Sequence, residues 1–186
     1  MKLARLQCLL FAAVVLAGSA TLRAEPAARE HEIKAVFLLN FAQFVEWPEG
    51  TFATTNSPIV VGILGDDPFG PALDQAAVGE QPQGRPLIIL RGRRLEDVAG
   101  CHLLFVSKSE NAKVGQILRA LQNKPVLTVG ETEPFRQAGG IIVFVIQGNR
   151  VSFDIDDAVA RRNMLILSAK LLKAARNVRC PPPGTP

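Results

Sequence analysis

The chain has 186 residues, 48% of them apolar, and a formal charge of +4, which suits one domain with a proper core. The charge says little about partners. Residues 1–24 carry Lys2, Arg5 and Arg23 and no acid, so the remainder holds 18 basic against 17 acidic residues. No basic stripe with interleaved aromatics is present, which argues against a nucleic-acid partner.

The opening MKLARLQCLLFAAVVLAGSATLRAEPA has a positive start, an apolar run from Leu6 to Ala17 and small residues after it. That is the layout of a secretory signal peptide, with cleavage after Ala20 or Ala24. Cys8 lies inside the apolar run rather than at its end, which argues against a lipid anchor. No later segment approaches about 18 uninterrupted apolar residues, so a soluble periplasmic protein is expected.

Residues 29–47 read as a helix. At about 100° per residue, Ile33, Phe37, Phe41, Phe44 and Trp47 share one face, widened by Leu38, Val45 and Val36, with Glu32, Gln43 and Glu46 opposite. Pro48 ends it. Strands follow at PIVVGIL (58–64), PLIIL (86–90), HLLFV (102–106) and PVLTV (125–129). Between them lie helical pieces. In GDDPFGPALDQA, Pro68 suits an early helical position. In SENAKVGQILRALQ (109–122), Ser109 is the expected N-cap and Val114, Ile117, Leu118 and Leu121 form the inner face. ETEPFRQAGG is a short helix stopped by Gly139 and Gly140. Alternation of strands and helices predicts a mainly parallel sheet flanked by helices.

The end differs. GIIVFVIQGNRVSFDID reads as an antiparallel hairpin around Gly148 and Asn149. Ile141 to Ile146 is apolar throughout, as for a strand buried on both faces. Val151, Phe153 and Ile155 alternate with Ser152, Asp154 and Asp156, as for a strand with one face in water. Asp156 or Asp157 caps a helix running to about Arg162, and LSAKLLKAARNV forms another, with Leu167, Leu171, Leu172 and Ala175 inward. The fold expected is α/β, a single domain over residues 29–178 with a mainly parallel sheet and a C-terminal hairpin. The flexible proline-rich tail at 179–186 follows.

Catalytic patterns are not assembled. Asp66 and Asp67 after the first strand invite a receiver-domain reading, but Ser107 stands where the phosphoacceptor aspartate belongs. GILGDDPFG lacks the spacing of a dinucleotide fingerprint, and G-x-S-x-G is absent. His31 and His102 are far apart in sequence and C-x-x-C is missing, so neither metal nor cofactor is expected. His102 reads as a packed or rim histidine. Beyond the leader only Cys101 and Cys180 remain, and their pairing is left open. Ligands of open α/β sheets favour the loops after strand carboxyl ends. Here that rim collects Asp66, Asp67, Phe69, Ser107, Lys108, Ser109, Thr128 and Glu131.

KAVFLLNFAQFVEWPEGTF, PIVVGILGDDPFGPALD, CHLLFVSKSE, GGIIVFVIQGNRVSFDID and MLILSAKLLKAARNV, in that order, resemble the YfiR family of periplasmic proteins over about residues 30–178. The resemblance implies a binding regulator rather than an enzyme. Such proteins repress an inner-membrane diguanylate cyclase through its periplasmic part, which lowers cyclic di-GMP and biofilm formation. An outer-membrane-associated lipoprotein relieves the repression. Related domains fused to sensor kinases imply the alternative of a small-ligand-sensing module, acting on a kinase or a transporter. Homodimers are implied too. Many members carry a cysteine where this chain has Gly62, the natural partner of Cys101, so that inter-strand bond is lost here. A repressor is expected to depend on surface residues such as Trp47, Arg161 and Arg162; a sensor is expected to depend on the rim.

Overall fold

The computed structural model describes residues 26–148 and 150–180. The expected leader at 1–24, residues 181–186 of the tail and Asn149 of the hairpin turn lie outside them. In chain order the elements are α1 (Pro26–Gln43), β1 (Val45–Glu46), β2 (Ile59–Leu64), α2 (Pro71–Ala77), β3 (Leu87–Gly92), β4 (Leu103–Val106), α3 (Val114–Ala120), β5 (Leu127–Gly130), α4 (Glu133–Gln137), β6 (Ile142–Gln147), β7 (Arg150–Asp156), α5 (Asp157–Arg162), β8 (Ile166–Leu167), α6 (Ala169–Ala174) and β9 (Asn177–Arg179).

Among the described residues a seven-stranded sheet runs β3-β2-β4-β5-β6-β7-β9, and β1 pairs with β8 in a small antiparallel ladder. β3, β2, β4, β5 and β6 are parallel, and β7 returns antiparallel beside β6. The expected α/β architecture, mainly parallel with a late hairpin, is the one observed. The chain reverses direction across the sheet between β2 and β4, which is the switch point where open α/β sheets place ligands.

The sheet separates two cores. α1, α2 and α6 cover one face, where Phe41, Leu73, Phe105, Phe144, Phe153 and Leu171 meet. Phe41 and Phe153 touch edge to face at 4.9 Å. On the other face, Val114, Ile117, Leu118 and Leu121 at α3 join Phe135 of α4 against Leu104 and Val106.

Several sequence expectations need correction. The first helix ends at Gln43, because Gln83 Nε2 takes the Ala42 and Val45 carbonyls at 2.8 and 2.7 Å and closes its last turn. Trp47 therefore lies beyond it. Its buried side is centred on Ala35, Leu38 and Ala42, whereas Ile33 and Val36 are exposed. Part of the reason is Lys34, which is buried between Glu30 (2.5 Å) and Glu131 (2.6 Å) and draws the helix over the end of β5. Pro71 rather than Pro68 opens α2. Ser109 caps no helix; Ser107 caps a 3-10 turn at Lys108–Glu110, and α3 begins at Val114. β6 is buried only as far as Phe144, and Ile146 is exposed. α6 stops at Ala174, and β9 adds to the sheet outside β7. Asp154 is consequently buried rather than facing water. Asp156 does cap α5, accepting from the Val159 N–H at 3.0 Å.

Candidate functional site

The loops after β2 and β4 meet at the switch point, so Asp66, Asp67, Ser107, Lys108 and Ser109 come to one rim, as strand order dictates. Most of their polar groups are engaged, with one another or with arginines beside the rim. The Asp66 N–H donates to Ser109 Oγ at 3.0 Å, and Ser109 Oγ donates to Glu110 Oε1 at 3.2 Å. Asp66 pairs with Arg93 at 2.9 Å. Asp67 accepts from the Phe69 N–H and from Arg91 Nε, both at 2.8 Å, and Arg91 also clamps Asp74 of α2. The buried Glu110 carboxylate lies 2.8 Å from Lys113 Nζ, off the hydrogen-bonding direction, and is neutralised as an ion pair.

Gly65 shows how tightly the crevice is closed. Its φ is +93°, and a Cβ there would stand 2.3 Å from Ser109 Oγ. Ser107 is buried and Lys108 exposed. Phe69 leaves the rim for the core, edge-on to Phe105 at 4.8 Å. Thr128 lies low in β5, where its hydroxyl accepts from the Ile141 N–H. Glu131 does reach the strand-end rim, where it holds Lys34.

The surface candidates occupy the other end of the sheet. Trp47 is half-buried, edge-on to Phe52 at 5.8 Å and to His102 at 6.3 Å. Its indole Nε1 is buried without a hydrogen-bond partner among the described residues. Phe52 stacks on His102 at 4.6 Å, and the Arg85 guanidinium lies over the Phe52 ring at 4.0 Å. Arg85 Nη1 also donates to the carbonyls of Thr54, Thr55 and Ser57. His102 Nδ1 accepts the Val60 N–H at 3.0 Å. Burial holds His102 below its ordinary pKa, Arg85 adds to this, and the Thr51 backbone opposes it. Sequence reasoning saw a packed histidine but not this Arg85–Phe52–His102 stack, whose members are far apart in the chain.

Arg161 and Arg162 end α5. Arg161 Nε bonds the buried Asp157 at 2.7 Å, and this hydrogen bond raises the guanidinium pKa. Arg162 is exposed and borders a cavity of about 230 Å3 lined also by Asn123, Asn163, Thr128 and Gly139. The Asn163 side chain bridges α5 to the turn after α3, accepting the Asn123 N–H at 3.2 Å. Beside α5, Asp154 takes Arg176 through both oxygens, at 2.8 and 2.5 Å, and Arg136 at 2.8 Å. Burial pushes the Asp154 carboxyl up, but the two guanidiniums outweigh it and hold it below the ordinary aspartate value.

Cys101 and Cys180 are not joined. Cys101 is buried and Cys180 exposed. Cys180 follows β9, four strands across the sheet from β4. That is roughly 19 Å at the usual strand spacing, far beyond a disulfide's Cα separation of about 7 Å. Burial pushes the Cys101 thiol up to about 12. Among the described residues no group of three or more His, Cys, Asp or Glu side chains is arranged to hold a metal. No helix among them is long and apolar enough to cross a membrane.

A protein-family model described as YfiR/HmsC-like matches residues 31–176. The chain belongs to the YfiR/HmsC-like family. This family is one of periplasmic regulators connected with diguanylate cyclases, rather than of enzymes. No curated protein matches the chain. The YfiR/HmsC-like domain takes in every strand from β1 to β8, so both the closed rim and the α5 surface are parts of it.

Proposed function

We propose that this protein, exported by its leader, binds the periplasmic part of an inner-membrane diguanylate cyclase and holds the cyclase inactive. Cyclic di-GMP and biofilm formation fall as a result. The observation that carries this reading is the YfiR/HmsC-like match across residues 31–176. The rim supports it indirectly, since Asp67 is held by Arg91 and Ser109 by Asp66 and Glu110, which leaves little of the crevice open. Repression requires tighter binding to the inactive state of the cyclase than to the active one. A difference of about 1.4 kcal/mol shifts that equilibrium tenfold. Release by an outer-membrane-associated lipoprotein belongs to the same proposal. So does a homodimer, for which exposed Ile33 and Val36 on α1 offer an apolar stripe.

Binding of the purified mature protein to the periplasmic domains of the host's own diguanylate cyclases tests it. One such domain is expected to bind, with affinity reduced by changes at Trp47, Arg161 or Arg162. Absence of binding to all of them contradicts the reading.

The alternative is a small-ligand module acting on a sensor kinase or transporter. The cavity beside Arg162 favours it, with room for a small polar molecule. Thermal shifts produced by small polar metabolites, and lost in Arg162→Ala, would support this alternative instead.

A further inference from the structure

The surface made by α5, the segment after it and β9 arranges its charges in two layers. Asp154, Asp156 and Asp157 lie beneath, with side chains at most 18% exposed. Above them lie Arg176 on Asp154, Arg179 on Asp156 and Arg161 on Asp157, and Arg162 is exposed beside Arg161. A guanidinium has five N–H donors; Asp157 takes one from Arg161, Asp154 takes two from Arg176, and Arg179 lies 3.6 Å from Asp156 as a charge contact only. The aspartates therefore fix Arg161 and Arg176 in place, while their remaining donors and those of Arg179 stay available.

After Arg162 the chain alternates. Asn163 and Leu165 turn inward, while Met164 and Ile166 are about half exposed. Met164 holds φ at +61°, a backbone conformation that residues other than glycine adopt sparingly. Arg162, Met164 and Ile166 thus form one outward ridge. β9 contacts α5, and Cys180, next to Arg179, is close enough to bear on the Arg161 guanidinium. Methionine, isoleucine and arginine side by side have the composition of a protein interface. The carboxylates lie inside and the guanidiniums outside: Arg161 and Arg179 are 54% and 82% exposed over aspartates at most 18% exposed, so the outermost charges are positive although the patch as a whole is balanced. Glu133, beside Arg136, and Glu46, opposite Ile166 in β1, border it.

The geometry points to this surface as the docking site for an acidic, amphipathic protein segment, whose carboxylates meet Arg161, Arg162 and Arg179 and whose apolar side chains cover Met164 and Ile166. This deepens, and rests on, the reading of the protein as a binding regulator. Guanidinium forks match carboxylates two bonds at a time, and Arg161 is already oriented by Asp157. Membrane-seeking surfaces use clusters of Lys and Arg on amphipathic helices or beside membrane spans instead, and this surface is built over buried acids.

The test uses the mature protein and a fluorescent amphipathic peptide of glutamate and leucine, followed by anisotropy at low and moderate salt. Binding is expected to weaken with salt, and about tenfold or more in Arg162→Glu/Arg179→Glu. Arg162→Glu alone breaks no ion pair among the described residues and keeps the test valid if the double variant misfolds. Met164→Ser is expected to weaken binding at both salt concentrations. Arg93→Glu/Arg94→Glu, at the far end of the sheet, is expected to leave it unchanged. No binding, equal loss in the far-end variant, or binding to phosphatidylglycerol vesicles in place of the peptide overturns the proposal. Loss of peptide binding with full repression of a cyclase overturns this surface and spares the repressor reading. A null effect of gene deletion on cyclic di-GMP overturns the repressor reading, and the peptide alone then judges the surface.

Discussion

Gly62 and Cys101 face each other between β2 and the start of β4: a Cβ on Gly62 would stand 3.2 Å from the Cys101 Cβ. Disulfides need about 3.5–4.5 Å between Cβ atoms, so a shift of a few tenths of an ångström suffices. Gly62→Cys is expected to form the bond under oxidising conditions and to stabilise the fold by about 2–4 kcal/mol relative to its reduced form. Gly62→Ala, which meets Leu104 at 3.0 Å without gaining a bond, is expected to cost about 1–2 kcal/mol. Thiol titration and urea denaturation of both variants check this.

The wild-type thiols are expected to behave differently from each other. Cys180 is exposed and reacts readily, while Cys101 is buried with its thiol pushed up to about 12 and is shielded until the fold opens. The mature protein should therefore titrate one thiol when native and two in denaturant. No thiol in denaturant would mean that the two are joined.

His102 makes stability pH-dependent. Its folded pKa is below the unfolded value of about 6.5, so below that pH the unfolded chain binds the proton more readily. Its contribution is full above about 6.5 and is lost as pH falls toward the folded value. Protonation also ends acceptance of the Val60 N–H. The melting temperature should fall between about pH 7 and 5, and His102→Gln should flatten that slope. An unchanged slope would exclude His102 as its source.

Asp154 holds two arginines from different elements. Asp154→Asn leaves Arg136 and Arg176 without their shared carboxylate. Because those arginines are about one third exposed, the expected cost is about 2–3 kcal/mol at pH 7, below that of a fully buried pair. Its folded pKa lies below the ordinary value, so the wild-type contribution is present above about pH 4 and is lost as pH falls through the folded value. Urea denaturation at pH 7 and in acid should show the difference between wild type and variant shrinking in acid.

Much of this was legible in the sequence. The β-branched runs at 59–64 and 142–144 and the glycine stops marked strands and turns through local chemistry. That Asp66 and Ser109 share a rim was legible because both follow the carboxyl ends of predicted strands. β1, β8 and β9 are only two or three residues long, too short for any periodicity. Their existence depends on what lies beside them. The alternation in β7 put Asp154 in water because nothing local reveals that β9 and Arg136 cover it. Closure of the rim was hidden for a similar reason. It depends on Ser109 reaching Asp66 and on the missing side chain of Gly65, contacts between residues more than forty positions apart.

The most direct test of the central claim is intracellular cyclic di-GMP in a strain lacking the gene, compared with wild type and a complemented strain. The account predicts a rise on deletion that complementation reverses. An unchanged level under conditions where the protein is expressed would contradict repression of a cyclase.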